Sequence, residues 1–408
     1  MKVIQNIIII AIVIAILSFA GCREKDTIQT TKVSLTLLLP DNAKDLKILE
    51  DSTRIEFKNV STAKIFQFKG LGNIILPEGL YDCFLVSKGV CEENKIKTLK
   101  AYAQSLSIIG EISEHELKLF ETTEVEGFVI EEIFFTGVLT PQGKQYYGCS
   151  YFKIKNNTDK LLYADSLAIC ESQFVSTTNW DYQPDIRSEA MSVCAIYMIP
   201  GNGKDVPVQP GETLLIADIA IDHRQANPNG YDLSGADFEW YDDSPNPRIQ
   251  DIDNPLVPNL EKIYCYTLTI WVPHNRGFRS YGLAKIKVDK ETYLRDYIYE
   301  YSYTMNLPQG TFPMTGKGYK VPNEWFEDVV NCSIESKYVW NLVDPSLDAG
   351  WTYCGKIDHD KTRYDKSVRR KIAYTTRDGR EVLLDTNNST YDFEHEARPS
   401  MMPEETNK

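Results

Sequence analysis

Apolar residues recur at every second position over much of this chain. Val33, Leu35, Leu37 and Leu39 alternate with polar neighbours until Pro40-Asp41-Asn42. Ile55 and Phe57 alternate with Arg54, Glu56 and Lys58, and Phe66 and Phe68 do the same before Gly70. The run from Leu80 to Val86 reads as a further strand, closed by a turn at Gly89. Period-two alternation broken by turn residues marks half-buried strands. About seven such runs within roughly ninety residues predict a small β-sandwich over 32–122.

A second region, 123–400, opens with the more continuously apolar Phe128-Val129-Ile130-Glu131-Glu132-Ile133-Phe134-Phe135. Strands follow at Tyr151-Phe152-Lys153-Ile154-Lys155, Leu167-Ala168-Ile169 and, after a Pro210-Gly211 turn, Leu214-Leu215-Ile216. The fold class is therefore mainly β: two β-sandwich modules, the larger with long loops and one or two short helices. Asp289 as an N-cap, with Tyr293, Tyr297 and Tyr301 at i, i+4 and i+8, predicts one helix over 289–305 whose aromatic stripe packs on a sheet. An insertion over 223–262, rich in Pro, Gly and Asp, is too long for an ordinary connection and reads as functional or disordered. Residues 401–408 read as a mobile tail.

The N-terminus changes the picture. Lys2 precedes an unbroken apolar run, Ile7 to Leu17, followed by Ser18, Phe19, Ala20, Gly21 and Cys22. The run is shorter than the ~18–20 apolar residues that span a bilayer, and small residues close it. Residues 1–21 thus read as a signal peptide and 22–31 as a tether; the competing reading is an uncleaved anchor with an incidental cysteine. Of the nine cysteines, Cys83 and Cys91 flank Gly89 and are candidates for a hairpin disulfide, while the others serve equally well as buried thiols.

Charge narrows the partners. Forty-four basic against 58 acidic residues give a net −14, which opposes general binding to nucleic acid. No CxxC, GxSxG, HExxH or Walker motif occurs, so the sequence points to no catalytic residue, no cofactor and no metal centre. His359, in Asp358-His359-Asp360, reads as solvated rather than ligating. Asp242, Asp243, Asp251 and Asp253 match no calcium-loop spacing. Trp240-Tyr241 in the same insertion is the candidate for binding, because exposed aromatics stack on sugars or fill partner pockets. The ligand-binding set is Trp240 and Tyr241 with Asp242 and Asp243, and Trp180-Asp181-Tyr182 is a second aromatic loop of that kind. The alternative is that both aromatic pairs pin their loops onto the sandwich.

Four stretches carry family resemblances. Ala20-Gly21-Cys22 resembles a bacterial lipobox, which implies lipidation of Cys22. Arg23-Glu24-Lys25-Asp26 resembles the surface-export signal of Bacteroides-type lipoproteins, although a plain polar tether reads the same. Leu76-Pro77-Glu78-Gly79-Leu80-Tyr81 resembles the hairpin of prealbumin-like modules, which implies a positive φ at the glycine and a tyrosine returning to the core. The ordered set from Val129-Ile130-Glu131, through Asn156-Asn157 and Pro210-Gly211, to Ser367-Val368-Arg369-Arg370 resembles the lamin-tail, immunoglobulin-like fold.

The chain as a whole resembles an uncharacterised family of Bacteroides-type lipoproteins, with Val321-Pro322-Asn323-Glu324-Trp325-Phe326-Glu327-Asp328 as a recurring stretch. The resemblance implies an outer-membrane lipoprotein that is anchored by its N-terminal lipid and faces the exterior. No activity comes with that resemblance; by analogy with such lipoproteins the expectation is non-catalytic binding, as an accessory to an uptake or surface assembly system, to an outer-membrane transporter or to a surface glycan or protein. A cell-surface hydrolase and a structural or adhesive protein are the rivals.

Overall fold

A computed structural model describes residues 29–39, 46–62, 64–91, 96–122, 127–376 and 378–403. Cys22, the expected signal peptide and most of the expected tether lie outside these residues. The protein is mainly β, as its hydrophobic alternation predicts.

The first module is two facing sheets. One has three strands, with Thr30–Leu38 between antiparallel Ile74–Pro77 and parallel Ile112–Lys118. The other orders Ile65–Lys69, Lys47–Asn59, Gly79–Val90, Ile96–Ile108 and Phe120–Thr122. Val33, Ile55, Phe57, Leu76, Tyr81, Leu85, Leu99 and Leu117 fill the space between them.

Three sequence expectations for this module fail. Gly89 is not a turn: it sits within Gly79–Val90, opposite Lys97 and Ile48, where a Cβ would press on Leu99 and Leu46. Cys83 and Cys91 consequently lie eight residues apart along one extended segment, ~26 Å at about 3.3 Å per residue. A disulfide needs Cα atoms within about 7 Å, so these two do not bridge. Gly79 also lacks the expected positive φ. A Cβ there would meet Asn59 Nδ2 at 2.9 Å and the Tyr81 ring at 3.4 Å, so space explains the glycine. Tyr81 does return to the core, its hydroxyl donating to Pro77 O at 2.9 Å.

The larger module is also two facing sheets. A six-stranded sheet orders Phe238–Glu239, Thr213–Ala217, Tyr151–Asn156, Phe128–Phe134, Ser367–Arg370 and Phe393–Ala397. The opposing sheet runs from the hairpin Ile298–Leu307 and Gly310–Pro322 through Ala190–Met198, Leu167–Ser172, Ser280–Lys285 and Phe326–Ser333 to Thr352–Tyr353. Glu261–Cys265 pairs beside Ala190–Met198. Phe128, Ile130, Phe152 and Ile154 from the first sheet meet Ile169, Tyr197, Tyr281, Leu283 and Val330 from the second. Both outer faces are covered as well. Tyr293, Trp325 and Val343 pack over one, and Tyr231, Leu233, Met401 and Met402 over the other.

Arg370 locks the sheets together. Its buried guanidinium donates to Ile130 O on one sheet and to Asp328 Oδ2 on the other at 2.6 Å, and also reaches Leu384 O. Asp385 and Asp392 lie at 3.3 and 3.5 Å.

The expected helix over 289–305 is shorter. Asp289 caps Lys290–Asp296 by accepting from Thr292 N, but the chain then extends into Ile298–Leu307. From Tyr299 on, residues alternate apolar and polar, and strand pairing takes them. The expected mobile tail is docked over 401–403. Met401 N donates to Tyr151 Oη at 3.4 Å, and Ser400 donates through both N and Oγ to Glu132. The remaining tail, 404–408, lies outside the described residues.

Candidate functional site

The 223–262 insertion is a folded plug. Trp240 is fully buried, edge-on to Phe152 and tilted against Trp271, with ring centroids 5.8 and 5.2 Å away. Asp242 is buried too, accepting from Tyr197 Oη, Trp271 N at 2.7 Å and Lys262 Nζ at 2.6 Å. Tyr241 is half-buried and Asp243 is exposed. The segment is extended here, so alternate side chains point to opposite sides. Trp240 and Asp242 therefore turn inward, and the expected four-residue binding face does not exist.

The other buried acids of this region hold loops. Glu239 accepts from Ala220 N at 2.7 Å and Asn254 N at 2.6 Å. Glu171 accepts from Trp271 Nε1, His274 N and Tyr281 Oη. Burial, and after it the carboxylates of Asp251, Asp242 and Glu239, push the Asp218 carboxyl well above its ordinary range. Among the described residues no group of three or more His, Cys, Asp or Glu side chains is arranged to hold a metal ion. His359 faces solvent beside Arg276 and Asp358.

The second aromatic loop, Trp180-Asp181-Tyr182, has a different setting. It runs beside the edge strand of the opposing sheet, where Gln183 and Ser302 exchange backbone hydrogen bonds at 2.8 Å in each direction. That strand belongs to the long hairpin 298–322, which turns at Pro308-Gln309. Cross-strand pairing sorts the hairpin into two faces. Tyr299, Tyr301, Tyr303 and Met305 lie opposite Gly318, Gly316, Met314 and Phe312 on one face. Glu300, Ser302, Thr304 and Asn306 lie opposite Lys317, Thr315, Pro313 and Thr311 on the other.

The first face is an aromatic stack at its base. Tyr299 and Tyr301 stack at 5.2 Å, and Tyr182 packs on Tyr301, Tyr303, Trp340 and, at 3.7 Å, Phe174. Gly316 has no side chain because the Tyr301 ring lies across it; a Cβ there would collide with the ring. Arg187 caps the stack, 5.4 Å over Trp340 and held by Asp185 at 2.6 Å. Burial pushes the Tyr182 hydroxyl far above its ordinary range, so it stays a neutral donor. Towards the turn the cover ends. Leu307, Phe312 and Met314 are exposed.

The second face forms one wall of an open cavity of about 480 Å³. Ser302, Thr304, Asn306 and Thr315 line it from the hairpin, while Asn179, Trp180, Asp181 and Gln183 close the other side. Asp181 sits at φ +52°, a left-handed conformation held where its N–H donates to Asn179 Oδ1 at 2.9 Å. Asp181 is the only charged side chain in the lining, where amides and hydroxyls alternate with Trp180, Tyr303, Pro313 and Met314.

The sequence named Trp180 and Tyr182 but hid the tyrosines that complete their surface. The signal was present in Tyr299-Glu300-Tyr301-Ser302-Tyr303-Thr304-Met305, whose period is two rather than 3.6, and in the Pro308-Gln309-Gly310 turn that follows.

Comparison with known proteins adds kinship of fold. Residues 209–400 match a family described as "Protein of unknown function (DUF4876)". The chain is also similar to the crystal structure of a DUF4876 family protein from Bacteroides thetaiotaomicron VPI-5482, at 20% identity and a TM-score of 0.55. The likeness covers 91% of this chain and 96% of that one. It is a likeness to an uncharacterised Bacteroides-type family. No curated protein matches.

Proposed function

We propose that the protein is a lipoprotein of the outer membrane, anchored through Cys22 and facing outward, which acts by binding without turnover. The groove beside Trp180 takes an uncharged saccharide. The anchor rests on Ala20-Gly21-Cys22 at the end of the short apolar run. The observation that carries the binding site is its lining, which sets Trp180 and Tyr303 among hydroxyls and amides. An indole offers a rigid apolar face at little entropic cost, and neutral donors and acceptors match sugar hydroxyls. A cavity of about 480 Å³ falls within the range of small-ligand sites.

The modules are read as prealbumin-like and lamin-tail-like. Support for the first is the buried Tyr81 bonded back to Pro77. Support for the second is the strand order around Phe128–Phe134 and the turn where Gly211, at φ +77°, donates to Asn156 O. A second reading, docking onto an outer-membrane transporter as its accessory, is favoured by Leu307, Phe312 and Met314 at the hairpin turn.

Titration with neutral oligosaccharides, chosen from an array, tests the groove. Trp180→Ala is expected to weaken binding at least tenfold, a difference of about 1.4 kcal/mol. Failure of every saccharide, together with recovery of a transporter in pull-downs that Phe312→Ser abolishes, would replace this reading with the second.

A further inference from the structure

The small module exposes aliphatic side chains at both ends, Leu38, Leu49 and Ile96 at one and a larger cluster at the end where the chain enters. Ile75 and Ile112 flank Lys32 on three adjacent strands, in register, on the outer face of the three-stranded sheet. Ile109 follows in the connection just before, and Leu80 and Val60 lie at the same end of the five-stranded sheet, joined by Val60 N donating to Leu80 O. Ile109 and Ile112 are each 61% exposed, and Ile75 is 57% exposed. Single exposed aliphatics are ordinary, but a cluster on one end of a small module is not.

The first described residue, Gln29, is fixed at this end because its carbonyl accepts from Glu78 N at 3.0 Å. Seven residues separate it from Cys22. At full extension they reach ~25 Å, short of the roughly 40 Å that the strand Ile96–Ile108 spans from this end to the other. A lipid on Cys22 therefore keeps this end, rather than the far end near Leu49, against the bilayer.

We propose that Val60, Ile75, Leu80, Ile109 and Ile112 form a seat for a phospholipid surface, resting in the headgroup region while Lys32 reaches past them to the phosphates. A long aliphatic stem carrying an ammonium suits that position. The Glu78 carboxylate at this end is exposed and is held sideways by accepting from Gly110 N at 2.7 Å. The proposal rests on acylation of Cys22.

All six native tryptophans lie between 180 and 351, so an indole placed in the small module reports locally. Lipidated full-length chains carrying Ile112→Trp, Ile109→Trp or Leu49→Trp would be reconstituted into phosphatidylcholine vesicles with plain or brominated acyl chains. The two isoleucine variants are expected to lose more than half of their added emission to the brominated lipid, and Leu49→Trp almost none. Equal quenching at both ends, or none at 109 and 112 in acylated, vesicle-bound protein, would overturn the seat and leave the anchor standing. Dimers in detergent that shield 109 and 112 would assign this end to a second copy instead. A bare Cys22 by mass would remove the anchor, and the seat with it.

Discussion

Replacing Arg370 by leucine removes a buried guanidinium that bonds both sheets of the larger module. In the native protein the guanidinium is 1% exposed and faces Asp328 and Asp392, themselves 4% and 2% exposed. Leucine fills part of the volume but leaves those carboxylates without their buried counter-charge and removes the guanidinium's bonds to the carbonyls of Ile130 and Leu384. Breaking a buried pair from one side costs about 3–5 kcal/mol. For a module of this size that lowers the melting temperature by on the order of 10 °C.

The loss also has a pH signature. Burial pushes the Asp328 carboxyl up, and Arg370 is the chief force pulling it down. Without Arg370 it rises further, so the native state binds a proton that the unfolded chain has released, and stability falls as pH rises above about 4. The deficit of Arg370→Leu is therefore larger at pH 8 than at pH 5. Asp328→Leu in the same chain should recover much of it, since an apolar pair of similar volume is often neutral. Urea unfolding at the two pH values measures all three quantities. A deficit under 1 kcal/mol, or one that shrinks as pH rises, would refute the role given to Arg370.

Other outcomes follow from single contacts. Gly316→Val should push the Tyr301 ring off the hairpin and disturb the wall facing Trp180, weakening saccharide binding several-fold with little change in melting temperature; unaltered affinity would separate the stack from the groove. His274 is held neutral, its pKa pushed down to about 3 first by burial and then by Arg279 and Arg276. The unfolded chain takes up that proton below pH 6.5, so native stability falls as pH drops from 6.5 towards 3. His274→Phe should remove a slope of up to about 1.4 kcal/mol per pH unit in that window, seen as a flatter stability–pH curve.

Strand positions and core faces were legible because burial enforces a period of two: Val33, Phe57 and Phe152 are core residues on that ground alone. Three features escaped for physical reasons. Gly89 reads as a turn because sequence does not distinguish a glycine needed for φ from one needed for space. Trp240 reads as a surface residue because a Pro- and Asp-rich insertion looks open, whereas its acids are spent as acceptors for its own backbone, as Glu239 shows. The binding face was half visible. Trp180 and Tyr182 were named, but Tyr301 satisfied a helical spacing with Tyr293 and Tyr297 and a strand spacing with Tyr299 and Tyr303, and only pairing with Gly316 decides between them.

The central claim is an acylated cysteine that holds two strand-built modules outside the cytosol. Intact mass and N-terminal peptide mass of the protein purified from membranes test it most directly. The predicted result is a chain beginning at Cys22 and carrying a diacylglyceryl group with a further acyl chain. Retention of Met1, or an unmodified Cys22, would contradict it.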